Sequence, residues 1–223
     1  QMAFHYASMA RGPNSVVASL LKKGVSNWQD YIMWYSLLQH GFSPSGQFYL
    51  NGIYVHSKCM VVDDKHCIVG SANLNDRSQL GDHDSEFALH YNCSRGGSSF
   101  ARDCRTELWA EHLCFKNAHT DPDLRVIANP ATDECWNYWR DMASYNEQIL
   151  YKNYPVFWPR NDIETYQQLK EAMEAKLPAV NKTEFMNQKP TRVVFHPRDF
   201  CKKEDLFANL SIKADILPAD TMV

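Results

Sequence analysis

A histidine, a lysine, an aspartate and an asparagine recur at fixed intervals in the stretch YVHSKCMVVDDKHCIVGSANLNDRS, residues 54–78. The pattern is His56-x-Lys58, then Asp63, then Gly-Ser-Ala-Asn at 70–73. Side chains alternate between the two faces of an extended strand, so His56 and Lys58 would project to the same side. An ammonium group neutralises phosphate oxygens, while an imidazole attacks phosphorus or moves a proton. The spacing therefore indicates phosphoryl-transfer chemistry.

The end of this stretch supplies neutral donors for the same phosphate. Gly70 allows the backbone to come close, and the amide of Asn73 is a donor that is easier to desolvate than a charge. Taken singly, a histidine–lysine pair on a strand is usually an exposed polar pair, and Gly-Ser-Ala-Asn is usually a turn. Six identities at fixed spacing over 18 residues are harder to obtain by accident. The full pattern therefore predicts a phosphate site, which the surrounding structure has to support.

Strands and turns surround the motif. The pattern of apolar residues predicts strands over about 53–57, 58–63, 66–70 and 85–92, a hairpin tip at Asp64-Lys65, and a short strand within TRVVFHP at 191–197. Residues 27–39 fit a helix or a buried strand equally well, because β-branched and aromatic residues obscure the period.

Four helices are expected along the rest of the chain. They are predicted over 15–24 after Asn14 as N-cap, over 98–115, over 132–154 with Thr132 or Asp133 as N-cap, and over 161–176. In the second of these, Phe100, Cys104, Leu108 and Cys114 fall near one face. The aromatic residues of 136–158 are predicted to belong to the core. Strands followed by long helices predict an α/β fold, close to α+β, with a mixed central sheet flanked by helices.

Composition narrows the classes of function. The 223 residues are 44% hydrophobic and 22% charged, which is ordinary for a globular protein. The net charge of −3, with the acidic excess in residues 59–223, argues against a general nucleic-acid binder. No apolar run approaches the roughly 20 residues of a membrane span.

The cysteines and the remaining histidines predict no metal site. Seven cysteines without a Cys-x-x-Cys pair indicate free thiols in a reducing compartment, and an oxidised extracellular form stays open. His112, Cys114 and His119 have a spacing that fits no structural zinc pattern, so we interpret them as residues of a helix surface.

The pattern H-x-K-x4-D-x6-G-S-x-N resembles the HKD motif of the phospholipase D superfamily. The continuation through residue 86 and the preceding segment 11–38 resemble the eukaryotic phosphatidylcholine-cleaving phospholipases D in particular. Segments 136–150 and 193–207 are similar to parts of their C-terminal region. The resemblance extends over nearly the whole chain and is strongest at 53–87.

This resemblance implies a domain organisation. Members of the family build one active site from two HKD motifs, related by a pseudo-twofold axis. Residues 1–223 would be a single C-terminal catalytic domain with its HKD motif at 56–73 and a helical and irregular extension over about 120–223. The half that carries the other HKD motif would lie upstream, as the non-Met first residue also suggests.

The resemblance also implies roles for the residues of the motif. His56 is similar to the general acid that protonates the leaving alcohol and then activates water. Lys58 and Asn73 correspond to the pair that binds the phosphate, and Ser71 to a hydroxyl that supports the same pocket. No metal is implied for the chemistry, because Lys58 and the lysine of the other motif supply positive charge.

Carboxylates have implied roles as well. Asp63 belongs to the signature and is expected to brace the local structure. Glu86 resembles the carboxylate that orients a catalytic histidine, with Asp84 as the alternative. The chain ends in Met222-Val223, where the family commonly has a bulky aromatic and a small residue, so no role is carried over to this terminus.

The chain holds one HKD motif only. Each of the other histidines lacks a lysine two positions on and an aspartate five further: His5, His40, His66, His83, His90, His112, His119 and His196. Three explanations remain open. The chain is the C-terminal half of a two-motif enzyme, or a single-motif phosphodiesterase or nuclease that pairs two copies of His56, or an inactive phospholipase D-like scaffold. The complete set of motif residues argues against the scaffold.

The expected function is hydrolysis of phosphatidylcholine to phosphatidic acid and choline through a phosphohistidine, with transfer of the phosphatidyl group to small alcohols. No cofactor is required for this chemistry, and phosphoinositide activation is implied by the family. The expected partners are a phospholipid at a membrane surface, the other HKD half and small GTPases, but no nucleic acid. The expected location is the cytoplasm, peripherally on membranes, and the isolated chain is expected to be inactive.

Overall fold

The structure, a computed structural model, describes residues 5–94, 99–115, 124–153, 159–175 and 180–204. In these residues the α-helices are α1 (Val16–Lys22), α2 (Asp76–Gln79), α3 (Phe100–His112), α4 (Leu124–Ala128), α5 (Asp133–Asn153), α6 (Tyr166–Glu174) and α7 (Lys182–Gln188). The strands are β1 (Tyr35–Phe42), β2 (Phe48–Gly52), β3 (Lys58–Val62), β4 (His66–Gly70), β5 (Ala88–Asn92) and β6 (Val193–Phe195). A π-helical turn spans Ala7–Arg11, and a 3-10 turn spans Trp28–Asp30.

This mixture of helices and strands confirms the α/β class. The strands form two three-stranded sheets, ordered β2–β1–β6 and β3–β4–β5, rather than one central sheet. β1 and β2 make an antiparallel hairpin, and β3, β4 and β5 make an antiparallel meander. Residues 53–57 connect the two sheets and belong to no strand. The meander is therefore a separate sheet.

The chain divides into two compact units. The first consists of Gln1–Tyr35, Leu150–Val180 and Phe195–Val223, and the second of Ser36–Ile149 and Asn181–Val194. The whole HKD motif lies in the second unit.

A small core holds the first unit together. Tyr6, Ile163 and Phe200 are buried against one another. The guanidinium of Arg11 lies 4.2 Å from the ring centroid of Tyr6 and donates to the backbone oxygens of Arg198 and Phe200. The cation–π contact and the charge-assisted hydrogen bonds both stabilise the position of Arg11. Burial raises the pKa of Tyr6 to about 12, so its phenol stays protonated in the folded protein.

Helix α5 organises the core of the second unit. Its start is set by Thr132, whose hydroxyl oxygen accepts a hydrogen bond from the Cys135 backbone nitrogen at 3.2 Å, so Thr132 rather than Asp133 is the N-cap. Further along, the fully buried Asn146 donates to the Val193 carbonyl at 2.6 Å and accepts from the Thr191 backbone nitrogen at 3.0 Å. A buried amide satisfied in this way ties the helix to β6.

The core prediction for the aromatic residues of α5 holds for Trp139 and is wrong for Tyr145, which is exposed. Trp139 is buried and meets the ring of Trp109 edge-to-face at 5.0 Å. Ala143 and Ile149 are buried on the same helix. Residues 154–158 of the predicted aromatic segment lie outside the described residues.

Several predicted elements need correction. The 27–39 segment forms a 3-10 turn and then β1, so the strand alternative applies to its second part and the helix alternative is wrong. The N-cap of α1 is Ser15, not Asn14, since the Ser15 hydroxyl accepts from the Ala18 backbone nitrogen at 3.1 Å. Helix α6 starts later than predicted, at Tyr166, because Thr165 forms a capping box with Gln168.

The buried face of α3 also differs from the prediction. The helix buries Ala101, Arg105 and Ala110, while Phe100 and Leu108 are exposed. A hydrophobic pattern places arginine on the outer face by default. Here Arg105 turns inward because it has an acidic partner, Asp64, on the meander.

Candidate active site

The HKD motif lies on the β3–β4–β5 meander, and the strand register decides which residues meet. Lys58, at the start of β3, is opposite Gly70 at the end of β4, which in turn is opposite Ala88 at the start of β5. We call this edge the open end of the meander. The opposite edge, where residues 63–65 connect β3 to β4, is the turn end. The catalytic-type residues therefore collect at the open end.

Lys58 is half-buried at the open end and is held in place by a neighbour. Its Nζ donates to the backbone carbonyl of His56 at 2.6 Å. This contact fixes the ammonium beside the histidine backbone and leaves its other N–H groups for an anion. A preorganised ammonium of this kind stabilises negative charge on a phosphate.

His56 is not part of a strand, so the predicted strand over 53–57 is wrong. β2, which pairs with β1, ends at Gly52, and β3 begins only at Lys58. Residues 53–57 lie between these two strands and are therefore irregular. The prediction that His56 and Lys58 project to the same side relied on that strand, so strand alternation does not support it. The imidazole is exposed and lies against the ring of Tyr54, with centroids 5.8 Å apart and planes at 24°.

Gly70 is required where β4 meets β5. A Cβ at this position would lie 2.5 Å from the Phe87 carbonyl oxygen and 2.6 Å from the Ala88 Cβ. The close approach lets the Ser71 backbone nitrogen donate to the Phe87 oxygen at 2.9 Å. The predicted role of this glycine in close backbone approach therefore applies to β5.

Ser71 and Ser78 hold the carboxylate of Glu86. The Ser71 hydroxyl donates to one Glu86 oxygen, and the Ser78 hydroxyl donates to the other at 2.6 Å. The Ser71 oxygen also accepts from the Phe87 backbone nitrogen at 3.0 Å. Hydrogen bonds from Ser71 and then Ser78 lower the pKa of Glu86, and the Lys58 charge adds to the effect. Glu86 is therefore a fixed, ionised carboxylate.

Asn73 lies in the turn that follows β4. Its side chain is exposed, and its backbone oxygen accepts from the Gln79 side-chain amide at 2.8 Å. The short helix α2 begins directly after this turn, with Asn75 as N-cap accepting from the Ser78 backbone nitrogen at 3.1 Å. The cap and the Gln79 contact shape the turn that presents Asn73.

Asp84, the alternative to Glu86, has a different partner. Both of its oxygens accept from Arg77, at 2.7 and 2.9 Å. This bidentate contact lowers the pKa of Asp84. The structure therefore assigns Asp84 to an ion pair and Glu86 to the serine hydroxyls. Orientation of a second histidine by Glu86 stays a prediction.

The turn end is anchored by Asp64, one residue after the aspartate of the motif. The Asp64 oxygens accept from Arg105 at 2.6 and 2.7 Å, and Arg105 also donates to the Ile127 carbonyl at 2.7 Å. Asp63 and Asp64 both have left-handed backbones, with φ of 55° and 54°. Asp63 is exposed, so the carboxylate that braces the turn is that of Asp64, and a role of Asp63 in catalysis stays a prediction.

Sequence reasoning missed three residues that make these contacts. Arg105, Asp64 and Ser78 were not predicted to take part. A signal existed for the first pair, because an arginine four residues after Ala101 falls on the buried stripe of α3 and requires a buried acceptor. No local pattern marks Ser78, whose partner is eight residues away in an irregular segment.

The histidine–cysteine group considered at the C-terminal end of α3 is described only in part. His112 is half-buried with its ring 6.4 Å from that of Trp139, and burial lowers its pKa. Cys114 follows the helix with a left-handed backbone, φ 57°. His119 lies outside the described residues.

The fold and the site together define an α/β protein whose HKD motif gathers polar side chains at one edge of a sheet. One imidazole, one ammonium, one amide and a fixed carboxylate are presented by the open end of an antiparallel meander. Such a set can bind a phosphate ester and move one proton.

Comparison with known proteins agrees with this class. The family model described as Phospholipase D matches residues 45–167, more than half of the chain. The chain therefore belongs to the phospholipase D family.

Individual relatives support the assignment. The chain is 37% identical over 162 residues to a Phospholipase D of Phytophthora infestans, which takes in 67% of the chain and 8% of that relative. It is 29% identical over 241 residues to human Phospholipase D1, covering 98% of the chain and 21% of the relative. It is 43% identical over 89 residues to Phospholipase D1 of Saccharomyces cerevisiae, covering 40% of the chain and 5% of the relative.

The chain spans only a small part of the curated relatives that it matches. The matches take in between 5% and 24% of the length of these relatives. Among the described residues, no helix combines the length and apolar character needed to cross a bilayer.

Proposed function

We propose that this chain is the C-terminal catalytic half of a phospholipase D that hydrolyses phosphatidylcholine to phosphatidic acid and choline. One observation carries the proposal. The register that pairs Lys58 with Gly70 brings the Lys58 ammonium to the same edge as the Ser71–Asn73 turn, and Lys58 binds the backbone of His56. Membership of the phospholipase D family supports the reaction class.

The proposed reaction has two steps. A histidine of the other half attacks phosphorus, and its new P–N bond replaces the P–O bond to choline. His56, as imidazolium, gives its proton to the leaving choline oxygen. Neutral His56 then takes a proton from water as that water attacks phosphorus, the P–N bond breaks, and phosphatidic acid is released. An alcohol in place of water gives transphosphatidylation.

The other residues of the site would act on the phosphate. Lys58 and Asn73 stabilise the non-bridging oxygens, where negative charge increases in the transition state. Ser71 holds Glu86 and shapes the turn before Asn73. Glu86 would accept a hydrogen bond from the histidine of the other half and keep it in the reactive tautomer. The exposed position of His56 fits a residue whose reaction partner comes from another part of the enzyme.

The membrane context of this proposal is supported by the family alone. The substrate would be a phospholipid in a bilayer, and the protein would act peripherally on cytoplasmic membranes. Phosphoinositides and small GTPases would regulate it through segments outside this chain. A single-motif nuclease that pairs two copies of His56 is the alternative, and the acidic excess of residues 59–223 argues against it.

The test is His56→Asn in the full-length protein, with phosphatidic acid formation measured on phosphatidylcholine vesicles. We expect loss of turnover with the protein still folded. His5→Asn, an exposed histidine outside the motif, is the matched control and should retain activity. Unchanged phosphatidic acid formation by His56→Asn contradicts the assignment.

A second assay separates the alternatives. The isolated 223-residue chain is expected to be inactive on phosphatidylcholine micelles because it holds one half-site. Robust turnover by a monomer, confirmed by sizing, contradicts the half-site. Cleavage of single-stranded DNA by a dimer, abolished by His56→Asn, would instead identify the nuclease.

A further inference from the structure

Three cysteine side chains converge on the side of the meander that faces α3. They come from β3 (Cys59), β4 (Cys67) and α3 (Cys104). The Sγ atom of Cys59 lies 3.9 Å from that of Cys67 and 4.0 Å from that of Cys104, and all three sulfurs lie within 4.8 Å of one another. All three are free thiols. We call this group the thiol cluster.

The strand register places the cluster away from the substrate. Cys59 is opposite Val69, and Cys67 is opposite Val61, so the two strand cysteines are diagonal neighbours on one face. Because side chains alternate along a strand, Lys58 belongs to the other face. The cluster is therefore separate from the phosphate half-site, although it shares β3 with it.

The spacing of the sulfurs fits metal coordination. A zinc ion bound by thiolates at about 2.3 Å in tetrahedral geometry requires sulfur atoms about 3.8 Å apart. The distances of 3.9 and 4.0 Å lie close to that value. We propose that Cys59, Cys67 and Cys104 bind one Zn²⁺ as three thiolates, with a solvent molecule as the fourth ligand on the side of exposed Cys59.

The choice of cation follows from softness and charge. Thiolate sulfur favours Zn²⁺ and Cu⁺ over hard cations. A site of three thiolates has a net charge of −1 with Zn²⁺ and of −2 with Cu⁺. Since Cys67 is fully buried and Cys104 is half-buried, the smaller residual charge favours Zn²⁺.

A groove with acidic walls borders the cluster at Cys104. Cys104 also lines a groove of about 480 Å³ on α3, together with Asp103, Glu107 and Glu111. The carboxylates make this groove attractive to a cation. Ser99 donates to Asp103, and Arg192 pairs with Glu111 at 2.5 Å, so these two contacts moderate the negative charge.

Binding of the ion would release protons. Burial raises the pKa of all three thiols of the cluster, and the charge of Glu107 raises that of Cys104 further. The metal has to displace these protons, so its affinity should increase with pH. Once bound, it joins β3, β4 and α3 on the face opposite Lys58, which makes it a structural ion for the strand that carries the half-site.

The experiment measures metal binding directly. Reduced, metal-free protein is titrated with Cd²⁺, whose thiolate charge-transfer band reports sulfur ligation, and the band is then competed with Zn²⁺. We expect one equivalent per chain. Cys59→Ser or Cys104→Ser should weaken binding by more than the ~10–100-fold that loss of an outer-shell partner produces. Cys114→Ser, an exposed cysteine outside the cluster, is the matched control and should bind as the wild type does.

Several outcomes overturn the proposal. These are absence of stoichiometric Cd²⁺ binding by folded wild-type protein, unchanged binding by Cys59→Ser, and equal weakening by Cys114→Ser. Binding of Cu⁺ without Zn²⁺ overturns the choice of ion. Circular dichroism of each serine variant confirms that the fold is retained before binding is compared.

Discussion

The charged residues at the two ends of the β3–β4 hairpin differ in their exposure to solvent and in their hydrogen bonds. At the turn end, Arg105 is 5% exposed, is bound by Asp64 through two hydrogen bonds and also donates to the carbonyls of Ile127 and Ala128. At the open end, His56 is exposed, and Lys58 is held by a single contact to a backbone oxygen. Each of the two strands that join these ends is 5 residues long.

This difference separates residues that hold the hairpin from residues that, in the proposed function, act on substrate. A buried charge requires a partner within the protein, and Arg105 has its partners in Asp64 and in the carbonyls of Ile127 and Ala128. The Lys58 ammonium and the His56 imidazole are accessible to solvent, so their N–H groups remain available to donate hydrogen bonds to a phosphate. Stability should therefore depend on the turn end and turnover on the open end. Four variants, from the largest expected effect to the smallest, test this division.

Lys58→Met removes the ammonium at the open end. We expect turnover in the full-length protein to fall by about 10²–10³-fold, or about 3–4 kcal/mol in the barrier, because one preorganised charge is lost. The free energy of unfolding should change by less than about 0.5 kcal/mol, as for other surface substitutions. Lys65→Met, an exposed lysine at the turn end, is the control and should leave turnover unchanged. A large loss of stability in Lys58→Met would break the division.

Asp64→Asn removes the charge that partners Arg105. We expect a loss of about 3 kcal/mol in the free energy of unfolding, at the lower end of the range for a broken buried pair, because the Asp64 side chain is 21% exposed. Urea unfolding gives the measurement. Asp63→Asn has the same left-handed backbone but an exposed side chain, so its effect on stability should be within about 0.5 kcal/mol. Equal losses in both variants would show that the turn, rather than the ion pair, matters.

Gly70→Ala tests the close approach of β4 and β5 at the open end. The added methyl meets the Phe87 carbonyl oxygen and the Ala88 side chain, so the strands have to separate. We expect about 1–3 kcal/mol of destabilisation, typical of overpacking. Gly81→Ala is the control, because nothing lies within 4 Å of the added Cβ. Wild-type stability of Gly70→Ala in urea unfolding would contradict the packing described for this edge.

Glu86→Gln tests the fixed carboxylate through pH. The hydrogen bonds from Ser71 and Ser78 hold the folded-state pKa of Glu86 below its ordinary value. Their stabilising contribution is therefore complete above about pH 4.3, the ordinary pKa of glutamate, and is lost as pH falls through the lower folded-state pKa. Unfolding measured at about pH 7 and about pH 3 should show a smaller difference for Glu86→Gln than for the wild type. Glu174→Gln, an exposed helix carboxylate, should retain the wild-type difference.

Much of the secondary structure was predictable from local patterns. The helices at 98–115 and 132–154 and the strands of the β3–β4 hairpin were placed to within a few residues, because amphipathic spacing and turn residues act locally. The strand at 53–57 was wrongly predicted. Its apolar alternation continues that of β2, but pairing with β1 ends at Gly52, and alternation alone does not reveal where a partner strand ends.

The sequence predicted which residues form the candidate site. It did not predict which of them contact one another. His56, Lys58 and Asn73 follow from spacing within one motif. The partners of Glu86 and of Arg105 are 8 to 41 residues away, so they depend on register and on the packing of α3. Local sequence carries no information on such distances.

The order of the residues in the HKD motif predicted the family, which the family model confirms, and the reaction class of a phosphodiesterase. These conclusions depend on side-chain chemistry and spacing, which the chain carries before it folds. The tertiary structure decided that Asp64 rather than Asp63 anchors the turn, that Glu86 is held by serines, and that three distant cysteines meet. For Arg105 and Cys67 the reason is burial, because a charge or thiol taken from water has to find a partner among the groups that the fold brings near. For Glu86 the reason is proximity, because the turn after Gly70 and helix α2 bring Ser71 and Ser78 to its carboxylate.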